Sequence, residues 1–170
     1  MASRVTLAGR SNGRCEFALD CRETALVRFI WVGFLNKLLQ VLVGKRVTQL
    51  KVDFGFTVLF WSPGYKAEIR IEQPFTFTPH GDSTLRVEPG NVDTVCAALK
   101  IFNKDVAAIS VENGTLRVEF EGGAWLLVSP HPKYEAWDMA ASDGVKIVCT
   151  PGGTRDLGHI KTLTVARPRL

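Results

Sequence analysis

From Val47 onward the chain is written in period two. Apolar and polar residues alternate through VTQLKV (Val47–Val52), FTVLFW (Phe56–Trp61) and KAEIRIEQ (Lys66–Gln73), where Ala67, Ile69 and Ile71 stand against charged neighbours. Successive side chains of an extended chain point to opposite sides, so this pattern predicts strands with one buried face. SPGY (Ser62–Tyr65) supplies a Pro-Gly turn between the second and third strands. Pro74 offers no N–H to a ladder, so FTFTP (Phe75–Pro79) is expected at a sheet edge or a bulge. HGDS then turns the chain into the short strand TLRVEP. Alternation returns in VAAISV (Val106–Val111), TLRVEF (Thr115–Phe120) and AWLLVS (Ala124–Ser129), with Asn113–Gly114 as a hairpin turn.

Two segments follow the helical period instead. Over Arg22–Gly44, Val27, Ile30, Trp31, Phe34, Leu35, Leu38, Val41 and Leu42 share one broad face, and Gly33, Asn36, Lys37 and Gln40 form a narrower polar stripe interrupted by Phe29. A helix so apolar is expected deep in the domain or against a second copy of the chain. Arg28, Asn36, Lys37 and Gln40 break the run short of the ~18 clean apolar residues of a membrane span, which argues against a membrane partner. The second segment, GNVDTVCAALKIFN, spaces Val92, Val95, Cys96, Leu99 and Phe102 along one face, with Asn91 as N-cap.

The strands themselves repeat. Val47 matches Val106, Leu50 matches Ile109, Val52 matches Val111, Asp53 matches Glu112 and Gly55 matches Gly114, each 59 residues later. The next strand matches at 60, as in Val58 with Val118, so one residue is inserted. The expected fold is therefore mainly β (α+β). Two related antiparallel meanders, 47–87 and 106–149, form a sandwich or partly closed sheet, with one amphipathic helix between them and one long apolar helix before them. Residues 1–44 are read as an arm plus the apolar helix, 45–153 as a single β-rich domain and 154–170 as a tail.

PHPKYEAWDMAASDGVKIVCTPGG, Pro130–Gly153, concentrates the residues with chemistry. One reading makes it a closing hairpin, in which Trp137 and Tyr134 fill core or edge space and Cys149 is a small buried hydrophobe. The other makes Cys149 a nucleophile with His131 as base and Glu135 or Asp138 as the orienting carboxylate. Against the second, Cys149 ends an alternating strand and has no helix N-terminus to lower its pKa. His131 sits between two prolines, while His80 and His159 lie in a turn and in the tail. Neither PGGTRDLG nor EGGAW has the glycine spacing that cradles phosphate, so no cofactor is expected.

Charge and cysteine usage narrow the partners. Residues 1–46 hold eight Lys/Arg against three Asp/Glu, residues 47–160 hold ten against fourteen, and the last ten add three cations to reach the net +4. An acidic β body argues against a nucleic-acid partner, because phosphate contact needs clustered cations. Cys15, Cys21, Cys96 and Cys149 form no CxxC pair and have no His at ligand spacing, so no metal site is expected. Met1–Gly13 lacks the apolar core of a secretory signal, which with unpaired thiols points to the cytoplasm.

The order VGKRVTQLKVDF, AEIRIEQPF, GTLRVEFEGGAWLLVSPHPKYEAW, DG, VCTPGG resembles an uncharacterised family of small bacterial, mainly actinobacterial, β-rich proteins with a YEAW…DG…PGG signature. The similarity covers about Leu42–Gly153. Family members continue from PGG into a short segment ending in Trp, whereas TRDLGHIKTLTVARPRL follows here. Some similar proteins are suspected partners or immunity proteins for toxins, so the resemblance implies a protein partner. The expected function is a non-catalytic protein-binding module of immunity or antitoxin type. Tyr134, Glu135, Trp137, Asp138, Trp61 and Tyr65 are its candidate contacts, because aromatic residues dominate binding hot spots. The alternatives are a homodimer through the 22–44 helix and a Cys149-dependent hydrolase or transferase.

Overall fold

The computed structural model describes residues 14–15, 33, 35–81, 83–149, 151 and 165–166. A short strand β1 (Arg14–Cys15) pairs antiparallel with β12 (Val165–Ala166), so described parts of the expected arm and tail meet each other. Between them lie two antiparallel sheets of five strands. The first meander is β2 (Val47–Val52), β3 (Phe56–Ser62) and β4 (Tyr65–Ile71). A hairpin of β5 (Phe75–Thr78) and β6 (Leu85–Val87) follows, then the helix α1 (Val92–Ala98). The second meander is β7 (Val106–Glu112), β8 (Thr115–Phe120) and β9 (Trp125–Val128), and the second hairpin is β10 (Trp137–Ala141) with β11 (Lys146–Val148).

The hairpins are exchanged. The first sheet runs β11-β10-β4-β3-β2, and the second runs β6-β5-β9-β8-β7. Each meander thus receives the hairpin that follows the other one, and the ranges 47–87 and 106–149 do not each make a sheet. Proline explains the crossings. Pro74 separates β4 from β5, and Pro130 and Pro132 separate β9 from β10, at the points where a residue without an N–H interrupts the ladder. Phe75–Thr78 is consequently not an edge strand: it lies between β6 and β9, with Pro74 just outside the ladder. The Gln73 side-chain amide donates to the Ser129 carbonyl and ties the two crossings together.

The two starts are joined reciprocally. Val47 N–H donates to Lys104 O and Val106 N–H to Lys45 O, both at 2.9 Å, while Gly44 N–H donates to Val106 O at 2.8 Å and Asn103 N–H to Val47 O at 3.0 Å. Arg46 closes a bidentate pair on Asp105, 59 residues on, at 2.7 and 2.9 Å. Positive φ falls at Gly44 (76°) and at Asn103 (63°), and asparagine is among the few non-glycine residues that tolerate it. Each first strand carries its register shift at the same place, Val47/Gln49 and Val106/Ala108, and Leu50 faces Val58 as Ile109 faces Val118.

Both sheets turn one face into a single buried cluster, in which Phe56, Phe60 and Ile71 of the first meet Phe77, Leu116 and Leu126 of the second. Each such side chain contributes on the order of 1.5–3 kcal/mol by leaving water. The long helix expected over 22–44 falls largely on residues outside those described. Within it, residues 35–39 are helical and run into a 3-10 turn at Gln40–Leu42. Leu35, Leu39 and Leu42 are 5%, 0% and 0% exposed, so this part faces the chain's own core. Its polar stripe has a purpose the sequence did not show. Asn36 Oδ1 accepts from Val111 N–H at 2.8 Å and its amide donates to Val111 O at 3.3 Å, while the Gln40 amide donates to Ile109 O at 3.0 Å. Two side chains one turn apart thereby occupy the open edge of β7. No helix among the described residues is long and apolar enough to cross a membrane.

α1 is capped as expected, with Asn91 Oδ1 accepting from Asp93 N–H at 3.1 Å. Its buried face differs from the expected one. Val95, Ala98 and Ile101 are buried, whereas Cys96 is exposed and Val92, Leu99 and Phe102 are 70%, 40% and 56% exposed. The buried residues stand three apart, on one side of the α-helix that the 3-10 turn at Leu99–Ile101 continues, and the helix packs on β6.

Candidate binding surface

β10 sorts the signature residues by simple alternation. Trp137 and Met139 point inward at 0% exposure, and Asp138 between them points out. Trp137 Nε1–H donates to Gly114 O at 2.9 Å, and the Cys149 thiol donates to the same carbonyl at 3.5 Å. Gly114 belongs to the β7–β8 turn of the second sheet, so Trp137 links the hairpin to the sheet it left. Glu72 N–H to Ala136 O, Ala136 N–H to Cys149 O and Cys149 N–H to Trp137 O complete a backbone lattice around it. Trp137 is therefore a latch, not a surface contact, because no part of it reaches solvent.

Cys149 and His131 each engage other groups. Burial pushes the Cys149 thiol up to about 11, and the side chain is 0% exposed. His131 Nδ1 accepts from Lys133 N–H and Tyr134 N–H, each at 3.1 Å, and its ring stacks on Tyr134 at 5.0 Å between centroids. The imidazole thus closes the turn in PHPKY. Glu135 is exposed just before the buried Ala136–Trp137 pair, and its charge adds to the upward shift of the Cys149 thiol. Native protein is expected to alkylate at Cys96 at neutral pH and at Cys149 only on unfolding; mass spectrometry of peptides after a short iodoacetamide pulse checks this.

The outer face of the first sheet carries two of the remaining candidates, Asp138 and Trp61. Asp138 stands opposite Arg70, Ala140 opposite Glu68, Glu68 opposite Leu59, and Lys66 opposite Trp61. Trp61 is 61% exposed at the end of β3, and Tyr134 is 67% exposed before β10. Arg70 is already engaged, with Nη2 at 3.0 Å from Asp53 Oδ1 and Nε at 2.7 Å from Glu72 Oε1. Gly55 fits closely beneath it, since a Cβ there would lie 2.9 Å from Arg70 Nη2. The Asp138 carboxyl is held above its ordinary value, first by burial and then by Glu72, Glu135 and Glu68, against the opposing pull of Lys146. Tyr65 turns to the opposite face. Lys45 Nζ lies 5.4 Å over its ring, its hydroxyl is buried without a partner, and burial raises it to about 12.

Sequence reasoning missed Glu68, Arg70 and Glu72 as parts of this face. The signal was present in KAEIRIEQ, where every second residue is charged. It was read only for the apolar half that it left behind.

The raised Asp138 carboxyl has a measurable cost. A carboxyl whose folded-state pKa exceeds its unfolded value binds its proton more tightly when folded, so its penalty is absent at low pH and grows as pH rises through the folded pKa. Asp138→Asn is expected to raise the urea midpoint at pH 7. The gain should vanish as pH falls toward the ordinary carboxyl value of 3.8. Equal gains at pH 7 and pH 3 would show that the penalty is not electrostatic.

Fold and surface together define a mainly β protein of two five-stranded antiparallel sheets with exchanged hairpins. The chain belongs to a family of unknown function, DUF6188, whose model matches residues 38–157. No curated protein and no solved structure matches it.

Proposed function

We propose that this protein is a non-catalytic protein-binding module that offers the outer face of its first sheet to a basic surface on another protein. The observation that carries the proposal is Asp138. It is kept half-buried and above its ordinary pKa, chiefly by burial, with smaller additions from Glu72, Glu135 and Glu68 set against the pull of Lys146, on the same face as the exposed Trp61. A fold gains nothing from that arrangement, whereas a partner's Lys or Arg would relieve it. Trp61 and Tyr134 are then the aromatic anchors, with Glu68, Glu72 and Glu135 around them. An immunity or antitoxin-like role is the specific form of this reading, because such proteins occlude a basic active surface without chemistry of their own. The matched registers and reciprocal starts further support reading the chain as two copies of one unit.

The test is a native pull-down with the full chain, repeated with Trp61→Ala and with Asp138→Lys. The expected result is a basic partner whose recovery falls with salt and is lost with either variant, while the circular dichroism melts remain cooperative. A partner retained equally by both variants would overturn this surface. Recovery of no partner under native conditions would count against the function itself.

A further inference from the structure

α1 leaves one face without a partner among the described residues. Val92, Cys96 and Leu99 succeed one another at spacings of four and three, which stacks them in one stripe, and Phe102 extends it. All four are exposed, Val92 by 70% and Phe102 by 56%. Such a stripe on a helix ordinarily faces a core or another helix. The fold does not demand it here. The helical residues 59 positions earlier stand before β2 as α1 stands before β7, and they carry Gly33, Lys37 and Gln40 at the matching places.

Charge selects the occupant. By helical spacing Asp93 and Lys100 border the stripe on the same flank, seven residues apart. Both are exposed, and neither takes part in an ion pair among the described residues. An acid at one end and a base at the other complement a copy of the same helix running the opposite way. We infer that a second copy of this chain covers the stripe, with the two α1 helices packed antiparallel about a two-fold axis near Cys96. Val92 of each copy then meets Leu99 of the other, and Asp93 of each lies beside Lys100 of the other. The interface is isologous, as a two-fold requires. It is separate from the Trp61–Asp138 face, so either can fail without the other.

Sedimentation equilibrium of the full chain at micromolar concentration is the test. The expected result is a dimer whose dissociation constant rises about tenfold or more with Leu99→Glu, which places a carboxylate in the apolar seam. Asp93→Lys and Lys100→Asp should each weaken the dimer roughly three- to tenfold, because each reversal sets like charges together twice. The double reversal Asp93→Lys/Lys100→Asp should restore it, which a merely structural role for either residue would not do. A short bis-maleimide should join two copies through Cys96. A monomer at all concentrations, or a dimer indifferent to Leu99→Glu, would overturn the inference. So would a double reversal no tighter than the single ones. Cooperative melts of every variant keep these outcomes separate from misfolding.

Discussion

Trp137→Ala should lose about 3–5 kcal/mol of folding free energy, the largest single-residue effect expected in this chain. The indole is fully buried, so its removal leaves a cavity between sheets that cannot collapse without moving β10. It also strips Gly114 O of its 2.9 Å donor and leaves only the Cys149 thiol at 3.5 Å. Trp137→Phe separates the two contributions. The ring remains, the hydrogen bond goes, and the cost should be about 1–3 kcal/mol, that of a buried acceptor left short. Urea unfolding with the midpoint and slope fitted together measures both. A loss below about 1 kcal/mol for the alanine variant would mean that the latch carries little of the stability.

The second large effect concerns the exchanged hairpins. Produced separately, the halves 1–89 and 90–170 are each expected to lack a cooperative unfolding transition, and on mixing they should recover it as a one-to-one complex. The first half contributes Phe75, Phe77 and Val87 to the second sheet, and the second half contributes Trp137, Met139 and Ile147 to the first. At about 1.5–3 kcal/mol for each buried side chain, three lost on either side amount to roughly 5–9 kcal/mol. That is comparable with the whole stability of a small domain, about 5–15 kcal/mol. Circular dichroism and light scattering of the halves, alone and mixed, decide the matter. A half that melts cooperatively as a monomer would show that its hairpin can fold back onto its own meander.

Local patterning was legible where one neighbour sets the environment. Alternation placed most strands within a residue or two, and Asn113–Gly114 marked its turn. Pairing between distant segments was not legible. Phe75–Thr78 reads like an edge strand because Pro74 precedes it, but which sheet receives it depends on partners some fifty residues away. The helix face failed for a related reason, since nothing in VDTVCAALKI announces that β6 is what the helix packs on. In the proposed surface, residue type alone singles out Asp138 and Trp61. Glu68 and Glu72 were passed over because charges beside buried apolar residues usually mean only a wetted side. Trp137 suits interface and core alike by its bulk and its indole N–H, and only the Gly114 carbonyl decides between them.

The amides of Asn36 and Gln40 have a bearing on how the protein behaves in bulk. A bare strand border recruits other bare borders, and that is how soluble β proteins begin to polymerise. These two side chains act as stoppers against such growth at one end of the second sheet. Asn36 lies two residues before the span shared with the family. A chain trimmed to begin at residue 38 would keep both sheets and lose half the stopper, and it should precipitate on standing at concentrations where the full chain stays clear.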